Sequence, residues 1–351
     1  MLRASRFSFR LRTVNDSATP LDARAQAACE WARAALREPT ARLAPASADA
    51  SFRRYFRLSL GERSWVLMDA PPEREDCKPF LRVAALLREA GLQGPEILAQ
   101  DLERGFLLLS DLGRHTYLQL FDAGLAAGET DRLMRDAIAA LVRWQASSRS
   151  GVLPPYDRAL LQRELDLFPD WYVARHLQRE LTPAQRRTWA TVCQQLIDSA
   201  LAQPTVYVHR DYMPRNLMRA TPNPGILDFQ DAVEGPITYD LISLFKDAFW
   251  SWPAPQIDGW IAHYRDLAAA AGLPLRADAA EFRREADWMG LQRHLKVIGI
   301  FARICYRDGK PHYLADVPRF IGYVREVASQ YAALAPLISL FDELGMTAPG
   351  A

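Results

Sequence analysis

The sequence His-Arg-Asp-Tyr-Met-Pro-Arg-Asn at residues 209–216, followed by Ile-Leu-Asp-Phe at 226–229, indicates the fold most strongly. It sets Asp211, Asn216 and Asp228 beside short apolar runs typical of β-strands. Phosphoryl transfer needs one carboxylate to orient and deprotonate a hydroxyl, and an amide oxygen and a second carboxylate to hold Mg²⁺ on nucleotide phosphates. The spacing matches the catalytic loop and the metal-binding Asp of kinases. We therefore predict a kinase with Asp211 as the catalytic carboxylate and Asn216 and Asp228 as Mg²⁺ ligands.

Composition and charge limit the other function classes. The chain has 351 residues, of which 49% are hydrophobic and 24% charged, so we expect most of it to fold, in two lobes or domains. Lys and Arg number 43 against 42 Asp and Glu, and the formal charge of +1 gives no general electrostatic basis for binding nucleic acid or an anionic membrane. No apolar run approaches the roughly 18 residues of a membrane-spanning helix.

The cysteines and the first nineteen residues give information on the cellular compartment of the protein. The four cysteines lie far apart without a C-x-x-C pair, which favours free thiols in a reducing compartment over disulfides or a zinc site. Residues 1–19 are rich in arginine and lack the apolar core of a secretory signal. We expect 1–19 to be a disordered tail and the protein to be cytoplasmic.

The hydrophobic period changes along the chain. Residues 20–38 are predicted to form a helix that Pro39 ends. A small sheet with one helix follows, with strands predicted at 51–58, 65–68, 96–99 and 106–109 and a helix at 80–87.

The remainder is predicted to be mostly helical, apart from short strands around the opening motif. This division resembles the α+β bilobal fold of protein kinases, with a small β-rich N-lobe at 20–112 and a larger helical C-lobe at 113–351. Nucleotides bind in the crevice between such lobes. The hinge residues Ser110, Asp111 and Leu112 are therefore expected to contact the adenine.

Two departures separate this chain from protein kinases. The Asp-Phe-Gly triplet of those enzymes is replaced by Asp-Phe-Gln at 228–230, and the chain runs from there to 235–241 with no long activation segment and no Ala-Pro-Glu motif. Arg210, which in many protein kinases meets an activation-loop phosphate, has no obvious phosphorylated partner here. His209 is expected to hold the loop through backbone contacts. The pattern favours a small-molecule kinase.

The predicted N-lobe lacks two usual features. Residues Ala46–Ser51 stand where a Gly-rich phosphate loop is expected, and their small side chains form either a phosphate cradle or only a turn. Met68 occupies the strand position of the expected lysine. Ser51, Phe52 and Arg54 are the predicted nucleotide contacts of this lobe. The missing charge can come from one of four cations, and the sequence does not choose among Arg53, Arg54, Arg57 and Lys78.

Residues 288–307 are predicted to form a helix with two stripes. A cationic stripe carries Lys296 and Arg303 around Gly299, and Arg293 flanks it. It is either a solvated basic face or the anion-binding wall of an acceptor site, in which Arg293, Lys296 and Arg303 contact the substrate. The other stripe is predicted to be buried and consists of Leu291, Leu295, Ile298, Ala302 and Cys305. Aromatic residues upstream are expected to pack in the core rather than stack on a sugar ring: Phe249, Trp250, Trp252 and Trp260.

Longer blocks of sequence resemble one group of enzymes. The catalytic-loop motif is similar to that of the aminoglycoside and choline phosphotransferase superfamily, whose fold is kinase-like. A closer resemblance, from about Ala50 to Tyr323, is to the anomeric sugar kinases of bacterial cell-wall recycling. It rests on the blocks Asp49–Arg57, Met68–Pro72, Gln100–Phe106, Leu227–Val233 and Arg293–Arg303.

The resemblance implies that ATP, with Mg²⁺, phosphorylates the C1 hydroxyl of N-acetylmuramate and N-acetylglucosamine, and that a nucleotidyltransferase takes the product. N-acetylmuramate bears a lactyl carboxylate, which suits the cations of the 288–307 helix. Arg215, Gln230 and Asp231 are further predicted contacts of this small-molecule amino-sugar acceptor.

Two alternatives stay open. One is another small-molecule kinase of the superfamily, acting on an aminoglycoside, choline or a homoserine-like acceptor; the basic helix disfavours the cationic ones. The other is a pseudokinase, which the intact catalytic and metal-binding residues disfavour.

Overall fold

The computed structural model describes residues 22–48 and 52–347, so the predicted tail at 1–19 and Ser51 lie outside the described residues. The first part of the described chain is a five-stranded antiparallel sheet with two helices. Its elements are α1 (Ala23–Leu36), β1 (Arg42–Ala48), β2 (Arg54–Leu60), β3 (Arg63–Asp69), α2 (Lys78–Glu89), β4 (Ile97–Asp101) and β5 (Phe106–Ser110). The strand order across the sheet is β1-β2-β3-β5-β4.

Strand β1 is the main departure from the predicted N-lobe. A phosphate cradle or a small-residue turn is predicted at 46–51, whereas residues 42–48 pair with β2. This strand escapes prediction because it is an edge strand with Pro45 inside it, and an edge position beside a bulge is where a sheet tolerates proline. The predicted hairpin of β2 and β3 is confirmed, with Gly61 in its turn at φ +60°.

The sheet is buried on both faces because alternate residues of β5 enter different cores. Phe106 and Leu108 pack with α1 in a small outer cluster. Leu107 and Leu109 join Met68 and α2 in the large core that continues through the rest of the molecule. The sheet is thereby fixed to the helical part through its inner face.

The remainder of the described chain is mostly helical, which confirms the predicted fold class. Its helices are α3 (Tyr117–Asp122), α4 (Ala127–Ala146), α5 (Arg158–Leu167), α6 (Pro183–Leu201), α7 (Tyr239–Phe245), α8 (Ala254–Ala270), α9 (Ala279–Asp308), α10 (Val317–Ala328) and α11 (Ala335–Glu343). A π-helical segment, Phe168–His176, continues α5, and short 3₁₀ turns lie at Pro214–Asn216, Pro311–Asp316 and Ala332–Leu334. Within residues 22–48 and 52–347, no helix is long and apolar enough to cross a membrane. The predicted boundary between residues 112 and 113 stays a prediction.

Two short antiparallel pairs position the opening motif. Strand β6 (Thr205–Val208) pairs with β9 (Val233–Pro236), and β7 (Leu217–Met218) pairs with β8 (Gly225–Ile226). Residues 209–216 therefore lie between β6 and β7, and Asp228 follows β8. Helix α9 packs against α5, α6, α7 and α10, and is longer than the predicted 288–307. Its apolar stripe is buried as predicted, except that Cys305 is only half-buried.

Candidate active site

The backbone of the loop after β6 is held by a buried carboxylate, that of Asp240 at the start of α7. Asp240 accepts hydrogen bonds from the backbone N–H groups of His209 (2.6 Å) and Arg210 (2.9 Å). His209 Nε2 lies 3.0 Å from the carbonyl oxygen of Leu227, and burial lowers the pKa of His209 to about 4, so the ring is neutral near pH 7. These contacts support the predicted structural role of His209.

The three residues of the predicted centre lie together. The Asn216 side-chain amide donates to the backbone carbonyl of Asp211 (2.9 Å) and to the Asp228 carboxylate (3.3 Å). Leu217 and Ile226 are paired across β7 and β8, so Asn216 and Asp228 flank neighbouring strands, as expected. Asp228 has φ +61°, a backbone conformation that is costly for a residue other than glycine and is found at functional sites.

The donor set at Asn216 and Asp228 fits Mg²⁺. This ion prefers hard oxygen ligands, and in nucleotide enzymes it takes one or two protein ligands besides water and phosphate oxygens. In the described part of the chain, no three His, Cys, Asp or Glu side chains form a metal-binding group, so a site built wholly from protein ligands is not seen there. Gln230 lies beside these residues and donates to Asp228 (2.9 Å) and to the exposed Asp231 (3.4 Å). Gln230 and Asp231 thus border the predicted metal position. We predict that the acceptor binds next to it.

The N-lobe presents Arg53 to this centre. The Nε of Arg53 lies 3.6 Å from Glu75, which precedes α2. Burial disfavours the charge of Arg53, but Tyr55, Asp228 and Glu75 outweigh that effect and raise its pKa. Met68, at the position of the expected lysine, is fully buried. Arg53 is therefore the cation that best fits the missing lysine.

The other cations considered there have different surroundings. Arg54, a predicted nucleotide contact, is paired with Asp22 and with Asp69, which lie beside α1 and at the end of β3. Arg57 makes two bonds to Asp111, at 2.6 and 3.0 Å, and Lys78 is exposed. Arg54 is thus bound by two carboxylates, and its contact with the nucleotide stays a prediction.

The predicted hinge directly follows β5. Ser110 exchanges hydrogen bonds with Glu96, which fixes the end of the strand. Asp111 accepts from the Gly113 N–H (3.1 Å) as well as from Arg57. Leu112 is buried near Gly225, so the hinge contacts the hairpin that carries the metal-binding residues. Phe52 is exposed, and its N–H lies 3.2 Å from Glu75. Adenine contacts by Ser110, Asp111 and Leu112 stay a prediction.

A buried cation and a buried acid lie on the far side of the catalytic loop. Arg293 is 3% exposed, and its Nη2 lies 3.9 Å from the sulfur of Met213, two positions after Asp211. Asp247 accepts from the N–H groups of Phe249 (2.9 Å) and Trp250 (2.7 Å). Among the described residues, Nε and Nη1 of Arg293 and one oxygen of Asp247 have no hydrogen-bond partner. We call the surroundings of these atoms the polar pocket, because a ligand or water normally satisfies buried atoms of this kind.

Arg215 also lies on this side, with its guanidinium 5.0 Å from the centre of the Phe249 ring. The other aromatics pack mainly on one another: Trp252 meets Trp260 edge-on at 5.0 Å and Phe121 at 5.2 Å. Trp260 is 1% exposed. The interpretation of these tryptophans as core residues is supported.

The cationic stripe of α9 is not a solvated face at Lys296. Lys296 is buried, with its Nζ 2.9 Å from Glu164 and 3.0 Å from the hydroxyl of Tyr239. Arg303 lies ten residues beyond Arg293, or about 15 Å along the helix, and its charge interacts with those of Arg307 and Asp308. The structure places Arg293 in direct contact with the catalytic loop, at Met213. Acceptor contacts by Lys296 and Arg303 stay a prediction.

Several contributing residues were not predicted from the sequence. Asp240 and Asp247 do not belong to a motif that identifies their roles. Glu75 and Glu164 form ion pairs with arginines that are distant in the sequence. The one available signal was the position of Asp240 shortly after the metal Asp. The others become visible only when the elements are packed together.

Comparison with known proteins adds a family and a fold. Residues 42–294 match the model of the phosphotransferase enzyme family. The chain is 58% identical over 306 residues to the N-acetylmuramate/N-acetylglucosamine kinase of Pseudomonas putida, covering 87% of this chain and 89% of that relative. It is 48% identical over 302 residues to the enzyme of the same name from Neisseria meningitidis, covering 85% and 89%. The solved gentamicin complex of APH(2″)-IIa is 15% identical with a TM-score of 0.61, covering 90% of this chain and 99% of that one, and it shows the fold alone.

Proposed function

The chain belongs to the phosphotransferase enzyme family, and from this premise we propose that it transfers the terminal phosphoryl group of ATP to the C1 hydroxyl of N-acetylmuramate and N-acetylglucosamine. The observation that carries the proposal is the grouping of Asp211, Asn216 and Asp228 through the Asn216 amide. The names of relatives at 48–58% identity support the choice of sugars.

In this mechanism Asp211 receives a hydrogen bond from the anomeric hydroxyl and directs its oxygen at the terminal phosphorus of ATP. The new oxygen–phosphorus bond forms as the bond to ADP breaks, and the hydroxyl proton passes to Asp211 late in the transfer. An anomeric hydroxyl is more acidic than an ordinary alcohol, so orientation is the larger part of this role. Mg²⁺ held by Asn216 and Asp228 would neutralise phosphate charge. Arg53 supplies a further positive charge on the N-lobe side.

The polar pocket beside Met213 is the proposed position of the acceptor. Arg293 offers unsatisfied donors of a planar guanidinium, which suits the lactyl carboxylate of N-acetylmuramate. The free oxygen of Asp247 suits a sugar hydroxyl. Arg215 lies on the same side, beside Phe249, and Gln230 and Asp231 border the metal position. N-acetylglucosamine lacks the lactyl group, so its binding rests on the contacts other than Arg293.

The cellular setting follows from the chemistry proposed. ATP as the donor and the four described cysteines, all unbonded, are consistent with a reducing cytoplasm. A sugar 1-phosphate is the substrate that a nucleotidyltransferase needs to make a nucleotide sugar, so we place such an enzyme next in sequence.

Release of ADP tests the proposal directly. Purified protein is assayed with ATP, Mg²⁺ and, separately, N-acetylmuramate, N-acetylglucosamine, choline and kanamycin. The expected result is turnover of both amino sugars and of neither other acceptor. Turnover of choline or kanamycin alone would contradict the assignment of the acceptor. If no acceptor leads to release of ADP, the result would support a pseudokinase.

A further inference from the structure

A buried polar cluster lies behind the catalytic loop, and the mechanism above does not use it. We call it the Glu164 cluster; its members are Tyr156, Glu164, Arg210, Tyr239, Gln292 and Lys296. They come from α5 and the residues before it, the catalytic loop, α7 and α9. The cluster thus joins three helices to the loop that carries Asp211.

Glu164 is the centre of this cluster. It is 5% exposed, and one of its oxygens pairs with both Arg210 and Lys296, the latter at 2.9 Å. Its other oxygen accepts from the Tyr156 hydroxyl and from the Gln292 amide (3.1 Å). Burial opposes the ionisation of Glu164, but the charges of Lys296 and Arg210 outweigh it and lower its pKa to about 2. The carboxylate is therefore charged at neutral pH.

Stability alone is a poor explanation for such a group. Removing charges from water is expensive, and buried ion pairs can often be replaced by apolar side chains without loss of stability. The second cation has no second carboxylate inside the cluster to balance it. Besides Glu164, the carboxylate of Asp211 interacts with the charges of both Arg210 and Lys296. The charges of the cluster are thus balanced only when Asp211 is included.

Arg210 connects the cluster to Asp211, its neighbour in the chain. Its backbone has φ +76°, and its N–H is bound by Asp240. Its side chain is bound by Glu164 and lies 5.7 Å from the Tyr156 ring. Both ends of Arg210 are held, in a backbone conformation that is unfavourable without such support.

In protein kinases, the arginine before the catalytic Asp is often held by a phosphate added to the activation loop. Here the chain after Asp228 enters β9 and then α7, and β9 is paired with β6. We propose that Glu164 takes the place of that phosphate: it is a positioning residue that holds Arg210, and through it Asp211, in the active arrangement without phosphorylation. This inference rests on the role of Asp211 in the proposed function.

The first test uses Arg210→Gln, which leaves Glu164 paired with Lys296 and so keeps a compensated buried carboxylate. We expect kcat to fall by about 10- to 100-fold, because a misplaced catalytic group costs that much. KM for ATP and for the sugars should change by less than about threefold, since Arg210 contacts neither substrate in this proposal. A variant with unchanged kcat would contradict the positioning role.

A double-mutant cycle separates positioning from folding. Glu164→Gln alone should also lower kcat, and Glu164→Asp should restore part of it. Adding Glu164→Gln to Arg210→Gln should lower kcat little further, because the first change has already removed the connection. Additive losses in kcat would overturn the proposal, and so would a double variant that folds and is as active as the wild type.

A matched control lies on α9, the helix that carries Gln292 and Lys296 of the Glu164 cluster. Asp287 is buried, pairs with Arg283 and accepts from Tyr331 (2.8 Å), away from the catalytic loop. Asp287→Asn should lower the melting temperature. Its kcat, measured at a temperature at which the variant is still folded, should equal that of the wild type. If it lowers kcat as much as Arg210→Gln does, a general loss of packing explains both, and the positioning role is wrong.

The state of phosphorylation gives an independent measurement. Wild-type protein whose intact mass shows no added phosphate should have full activity, and phosphatase treatment should not change it. Activity that depends on an added phosphate would contradict the proposal. Wild-type protein that turns over no amino sugar would instead contradict the proposed function, so the two failures are distinguishable.

Discussion

Asp211, the proposed catalytic carboxylate, lies in a loop whose backbone is held by two other side chains. The Asp240 carboxylate holds the two residues before it, and the Asn216 amide holds its carbonyl. Because the group is already oriented, little rearrangement is needed at the moment of transfer. The conformation of this loop is thus part of the catalytic machinery that we propose.

Replacing Asp211 by Ala should lower kcat by about three orders of magnitude or more, because the hydroxyl then loses both its direction and its proton acceptor. Binding of Mg²⁺-ATP, measured by calorimetry, should stay close to wild type. Asp266→Ala, on the exposed face of α8, is the control and should keep the wild-type rate. A rate within tenfold of wild type in Asp211→Ala would refute its catalytic role.

Arg293 should discriminate between the two sugars. Replacing it by Met removes charge-assisted hydrogen bonds to the lactyl carboxylate, which are worth about 1.5–3 kcal/mol. We expect kcat/KM for N-acetylmuramate to fall by about 10- to 100-fold and that for N-acetylglucosamine to change much less.

The control for Arg293→Met is Arg303→Gln, at the distant end of α9, which should affect both sugars equally or not at all. If Arg293→Met lowers kcat/KM for both sugars by the same factor, Arg293 does not bind the lactyl group.

Whether a residue's role can be predicted from the sequence depends on how far away in the chain its partners lie. The catalytic and metal-binding residues were found because they lie in one loop and the next hairpin, where spacing alone brings them together. Glu164 and Gln292, by contrast, meet across 128 residues. The pairing of Lys296 with Glu164 was not predicted for the same reason, since a helical stripe looks identical in sequence whether it faces solvent or a buried glutamate.

Among the elements, α9 has the largest influence on the site. It carries Arg293 beside the catalytic loop and Lys296 in the Glu164 cluster. Its position is set partly by Gly299, where an added Cβ would lie 2.3 Å from the backbone of Leu167. Absence of a side chain at this position lets α9 approach the junction of α5 and the π-helical segment.

Gly299→Ala should therefore lower the free energy of unfolding by about 2 kcal/mol or more, because two backbones must separate. Gly259→Ala, inside α8, is the matched control: an added Cβ there meets nothing within 4 Å. It should raise the free energy of unfolding by roughly 0.5–1 kcal/mol through helix propensity. Urea denaturation measures both, and equal effects would show that the contact with Leu167 does not determine stability.

The elements were predictable where the hydrophobic period was clear, as in the β2–β3 hairpin and α2. Strand β1 was not, because an edge strand with Pro45 and no alternating apolar face has little period to detect. The beginning of α9 was placed too late, since its first turns precede the residues whose stripe was recognised. Tertiary pairing, rather than local preference, determines these segments.

Across the whole molecule, the proposed nucleotide site draws on both parts of the fold. Arg53 and Glu75 approach from the sheet side, while Asn216 and Asp228 come from the two short hairpin strands. A ligand that contacts both parts should stabilise the folded chain as a unit. The stabilisation amounts to about 2.7 kcal/mol at a ligand concentration 100 times Kd.

Thermal denaturation should show this linkage and its dependence on the metal. ATP with Mg²⁺ should raise the melting temperature of the wild type, and Asp228→Ala should lose the part of the increase that requires Mg²⁺. Asp211→Ala should keep it, because that residue acts on the acceptor. An equal Mg²⁺-dependent increase in Asp228→Ala would contradict its role as a metal ligand.

The position of the transferred phosphate tests the central claim most directly. N-acetylglucosamine is incubated with ATP, Mg²⁺ and the protein, and the product is analysed by phosphorus and proton NMR. We predict a sugar phosphate whose phosphorus is coupled to the anomeric proton, formed by the wild type and not by Asp211→Ala. Phosphate on the C6 hydroxyl, or no phosphorylated sugar at all, would contradict the account.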